Sequence, residues 1–86
     1  MSSVEYLFAD HIDHANSFAR DQGWLACSRA AWLKQDGTPV HFLSLLVQLE
    51  IVAPGEVVHV IGYSPEPLRK LKKFRAVAIC HTEALD

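Results

Sequence analysis

Apolar residues fall in five short stretches, each bounded by turn-forming residues: VEYLF at 4–8, WLACSRAAWL at 24–33, VHFL at 40–43, VVHVI at 57–61 and AVAIC at 76–80. β-Branched and aromatic residues dominate most of them, and their lengths suit strands. Between them the apolar positions recur at helical spacing. Ile12, Ala15 and Ala19, with Phe18 beside them, make one stripe; Leu45, Leu46 and Leu49 make a second; Leu68, Leu71 and Phe74 make a third. The clearest unit is Glu56 to His81, an apolar strand, a turn, a basic helix PLRKLKKF and a second apolar strand.

Start and stop signals agree with this reading. Asp10 stands where an N-cap belongs, with Asp13 three residues on, and Gly23 ends a helix predicted over His11 to Gln22. Ser44 caps a short helix from Leu45 to about Glu50. Ser64 caps the third, with Pro65 at its first position. The run 24–33 fits either period, because its alanines tolerate a helix. Asp36-Gly37 immediately after it is a strong hairpin signal, so the run is taken as one strand paired antiparallel with the next. Pro39 cannot donate to a ladder and suits an edge position. Val57 to Ile61 is β-branched except for His59, the pattern of a strand covered on both faces.

The resulting order is β-α-β-β-α-β-α-β. Crossover helices on a mostly parallel sheet with one antiparallel hairpin predict a small Rossmann-like three-layer α/β domain. An α+β fold with an antiparallel sheet is the alternative. Residues 1–86 form a single domain, since a chain this short holds one core, and HTEALD at 81–86 ends in a loose tail over 82–86.

Composition sharpens the picture. Half of the residues are apolar and 21% are charged, which excludes a disordered or nucleic-acid-coating chain. So high an apolar share in a small protein leaves some apolar surface outside, which implies self-association or a protein partner. Only Cys27 and Cys80 are present, too few for a secreted disulfide framework, and their pairing is left open. No stretch has the signal-peptide pattern or approaches a membrane span, so a cytoplasmic protein is expected. The net charge of −2 is unevenly spread. Glu5, Asp10, Asp13 and Asp21 crowd the first quarter, whereas Arg69, Lys70, Lys72, Lys73 and Arg75 crowd the third helix and its end.

Four constellations could carry chemistry. His11 and His14, with Asp10 one turn from His14, could meet a divalent metal. A closed site needs more ligands, however, and His41, His59 and His81 sit in separate strands, so a solvated first turn is the simpler reading. The turn Gly62-Tyr63-Ser64 precedes a helix N-terminus, where anions bind, but Pro65 and Pro67 remove two of its donors and no glycine-rich phosphate loop exists. The basic helix could meet phosphates or an acidic protein surface, although it lacks aromatic interleaving. No GxSxG, HExxH or paired-carboxylate motif marks a catalytic centre, so no enzyme and no cofactor is expected. Trp24 and Trp32 on one face are either core or anchors for a partner.

The strand followed by ADHIDHANSFARDQGW, the hairpin on Asp36-Gly37 and GEVVHVIGY together resemble small phage-encoded α/β proteins with a Rossmann-like core stripped of nucleotide motifs. The resemblance implies a host-cytoplasm protein that regulates or inhibits a host protein by binding it. The functional expectation is therefore a non-enzymatic protein-binding module that also self-associates, with Arg69, Lys70, Lys72, Lys73, Arg75, Trp24 and Trp32 as interaction residues. Nucleic-acid binding through helix 65–75 is the alternative, and metal binding through His11 and His14 the second alternative.

Overall fold

The computed structural model describes residues 4–62 and 66–81. In chain order these form β1 (Glu5–Phe8), α1 (Ile12–Asp21), β2 (Leu25–Ser28), β3 (Ala31–Leu33), β4 (Pro39–Leu43), a 3₁₀ helix (Leu46–Ile51), β5 (Val57–Val60), α2 (Glu66–Lys73) and β6 (Val77–Cys80). The strands make one six-stranded sheet in the order β2-β3-β4-β1-β5-β6. β4, β1, β5 and β6 run parallel, while β2, β3 and β4 form an antiparallel meander.

This order corrects the Rossmann-like expectation: the chain is a small mixed α/β domain whose strand order is of another kind. The cause lies in residues 24–33, which form two strands instead of one. Ser28 Oγ accepts a hydrogen bond from the Ala30 amide at 3.4 Å, and the ladder is irregular between Ala26 and Ser28. A serine-supported turn therefore folds the run back on itself. After α1 the chain travels to the far edge of the sheet and returns by two antiparallel steps, so β4, and not the strand following α1, lies beside β1. The wholly antiparallel alternative fails as well, because β1 is flanked by parallel neighbours on both sides.

The Asp36-Gly37 turn does join an antiparallel pair. Asp36 Oδ1 accepts from the Thr38 amide at 2.9 Å, and Gly37 takes φ +91°, a value that a side chain would strain. Pro39, expected at an edge, opens an interior strand instead. It is tolerated there as the first residue of β4, where its missing donor interrupts no central rung.

Alternation along the strands divides the core into two. Leu7, Val40, Trp32 and Ile61 pack with Ala15, Phe18 and Ala19 of α1 on one face. Phe8, Leu43, Val58 and Val60 pack with Leu49, Val52 and Leu71 on the other, beneath α2 and the 3₁₀ helix. Val58, His59 and Val60 are all buried, so β5 is covered on both faces, as its composition requires. The apolar stripe of α1 is the one its spacing predicts, but the cap differs: His11 Nδ1 accepts from the Asp13 amide at 3.2 Å, in place of Asp10. The 3₁₀ helix likewise starts without Ser44 as its cap. Gln48 Oε1 accepts from the Ser44 and Leu45 amides at 3.0 and 2.9 Å.

Candidate functional site

On the α1 face four strands bring together side chains that lie far apart in sequence. Glu5 opens β1 and shares a face with Leu7. His59 lies mid-strand in β5, opposite Leu7 in the register. His81 follows β6, its amide donating to the Val60 carbonyl at 2.8 Å. Lys34 follows β3. Together they form a continuous chain: Lys34 Nζ donates to Glu5 Oε2 at 2.9 Å, His59 Nε2 lies 2.6 Å from Glu5 Oε1, and His59 Nδ1 lies 3.1 Å from His81 Nε2. The two imidazoles stack, with centroids 5.3 Å apart and planes 21° from parallel. Trp24 meets His59 edge-on, and Phe18 lies 4.5 Å from the His81 ring.

At 7% exposure, His59 is the one buried polar residue among the described residues. Its bond to a carboxylate places a proton on Nε2, so in the neutral ring Nδ1 accepts, and the proton between the two imidazoles comes from His81. Burial alone would raise the Glu5 pKa. Hydrogen bonds from His59 and Lys34, and their positive charges, outweigh it and hold the carboxyl below the usual glutamate value. Burial and the charge of His59 push His81 down from its ordinary value. The arrangement can therefore orient His59 and relay a proton between the two rings. Among the described residues no hydroxyl or thiol is hydrogen-bonded to either imidazole.

Sequence reasoning missed this cluster, having scattered His59 and His81 over separate strands and left Glu5 in a charge tally. One signal was present. A lone histidine inside a β-branched run must find partners, because a buried polar ring without them is costly.

The residues singled out from the sequence are not brought to one place. Trp32 is buried in the α1-face core, and Trp24 is half-buried against the same cluster, so both work in packing. His14 Nδ1 is 2.9 Å from Asp10 Oδ1, and the His11 and His14 rings lie 6.0 Å apart on the exposed first turn of α1. Among the described residues no three His, Cys, Asp or Glu side chains are placed to hold a metal ion. Cys27 and Cys80 are both exposed free thiols. Arg69, Lys72, Lys73 and Arg75 are exposed, and Lys70 is half-buried. The turn at 63–65, where Pro65 and the Ser64 cap were expected, lies outside the described residues, as does the tail 82–86. Pro67 is buried in the first turn of α2.

A second surface lies on the opposite face. Tyr6, His41 and Leu43 floor an open groove that also takes in Val4, Ala30, Gln48 and Ile51. Beside it the 3₁₀ helix carries Val47 and Ile51, 59% and 64% exposed, and Leu45 precedes it at 58%. α2, with its basic side chains, packs directly against this 3₁₀ helix. Among the described residues no helix is long and apolar enough to cross a membrane. Comparison with family models, with curated proteins and with solved structures finds no match.

Proposed function

We propose that the protein is a non-enzymatic protein-binding module whose contact surface is the 3₁₀ helix with the groove beside it, rimmed by the basic face of α2. The observation that carries this reading is the exposure of Leu45, Val47 and Ile51 together on one short segment. Three exposed aliphatics within seven residues raise the free energy of the free protein, and a partner that covers them recovers roughly 1–2 kcal/mol from each. Arg69, Lys72 and Lys73 select among apolar partners: the fitting surface has an aliphatic centre and an acidic rim. Such a module acts in the cytoplasm by occluding a surface of its partner, in the manner of a regulator or inhibitor. The one basic helix suits a protein rim better than nucleic acid, because the chain as a whole carries a net charge of −2 and repels a polyanion elsewhere.

The test is affinity capture from the native host with the wild-type protein and with Ile51→Lys, Val47→Lys and a charge reversal of Arg69, Lys72 and Lys73. The aliphatic variants lower affinity by roughly tenfold each, and the charge reversal slows association and removes the salt dependence. A wild-type protein that captures no partner refutes the proposal, and so does capture that is indifferent to all three changes. Retention of nucleic acid with a linear fall of log affinity against log salt would assign α2 the other role.

A further inference from the structure

We infer that the chain Lys34, Glu5, His59, His81 is a proton-operated latch on β6: while a single proton lies between the two imidazoles it holds the carboxyl end of this edge strand against β5, and protonation of both rings releases it. With neutral rings, His59 Nε2–H donates to Glu5 and His59 Nδ1 accepts from His81 Nε2–H across 3.1 Å. One added proton leaves a single hydrogen between the rings, so the chain survives. A second forces hydrogens onto both facing nitrogens, where no hydrogen bond can form and two cations stand in contact. The only carboxylate among these four residues is that of Glu5, already matched by Lys34 at 2.9 Å. The doubly protonated cluster therefore carries three positive charges against one negative.

Among the described residues no other packed element relieves this. α1 contributes the Phe18 ring and the segment entering β2 contributes Trp24, neither of them charged, and His59 is the charged group that acts on His81. Something must move, and the topology decides what. β5 is held on both sides, by β1 and β6, whereas β6 pairs with β5 alone. The weakest point is the last rung, the His81 amide on the Val60 carbonyl. Release of that rung uncovers the outer edge of β5, an unpaired strand that another chain can join.

The experiment is amide hydrogen exchange by NMR on the whole chain from about pH 7.5 to about pH 5, corrected for intrinsic rates, with the histidine rings followed in the same samples. The expected result is a loss of protection of roughly tenfold or more at Ile79 and His81, whose amides face β5, with Leu7 in β1 and Phe42 in β4 unchanged. His81→Phe keeps a ring on Phe18 without a charge and abolishes the loss. Glu5→Gln removes the only counter-charge that the described residues supply and moves the opening to higher pH. Protection independent of pH in the wild type overturns the inference, as does a uniform loss over all strands. If His81→Phe does not fold, an unshifted opening in Glu5→Gln overturns it.

Discussion

His59 sets a polar ring in the middle of a buried strand, and its partners decide whether the strand tolerates it. Glu5 serves both His59 and Lys34, and its side chain is 13% exposed, so water replaces little of what a substitution removes. Glu5→Gln is expected to cost about 2 kcal/mol in urea unfolding, because it leaves a half-buried ammonium without its counter-ion. Acid should act in two steps. The folded state lowers the His81 pKa below its ordinary 6.5, so the unfolded chain binds the proton first, and stability present at neutral pH is lost as pH falls below about 6.5. Glu5 is depressed below 4.5 in the same sense, so its contribution persists above that value and disappears as pH falls through its lower folded value. In thermal melts across pH, His81→Gln is expected to remove the first decline and keep the second.

The two helices end in the same way with different residues. At the end of α1, Gly23 donates to the Arg20 carbonyl and Trp24 to that of Ala19; at the end of α2, Arg75 donates to Lys72 and Ala76 to Leu71. Both are Schellman endings, which need a left-handed residue at the turn. Gly23 has φ +78°, and Arg75 takes φ 59° with a full side chain. Gly23→Ala should cost about 1 kcal/mol by chemical denaturation. A Cβ there also meets Gln35 Nε2 at 3.0 Å, which that flexible side chain can yield. Arg75→Gly is expected to be neutral or to stabilise by up to about 1 kcal/mol, since relief of strain exceeds the entropy glycine adds to the unfolded chain. A clear loss of stability there would show that Arg75 is held by contacts and not merely endured.

Across the whole molecule the coverage of the sheet is incomplete at its edges. β2 is exposed at every residue, with Leu25 at 66%, and Val77 and Ile79 of β6 are partly open. Open edges and aliphatics on so small a body favour association. Sedimentation over a range of concentrations should give an average mass above the 9.6 kDa of one chain, and Leu25→Lys should return it toward that value. A mass that stays at one chain throughout would mean that the edges are protected well enough by their short length.

Outside residues 24–33, which it left as one strand, the sequence by itself determined where the elements lie, because local periodicity, Gly23, Asp36-Gly37 and the β-branched run at 57–61 act through neighbours in the chain. It determined that His59 would need partners, but not which. Tertiary structure decided which strand lies beside β1, because the fold-back at Arg29-Ala30 splits one alternating run into two strands whose ladder slips between Ala26 and Ser28. It also decided the meeting of Glu5, Lys34, His59 and His81. Those residues are up to 76 positions apart, and only the side-by-side placement of β1, β5 and β6, a consequence of long-range packing, brings them within hydrogen-bond reach.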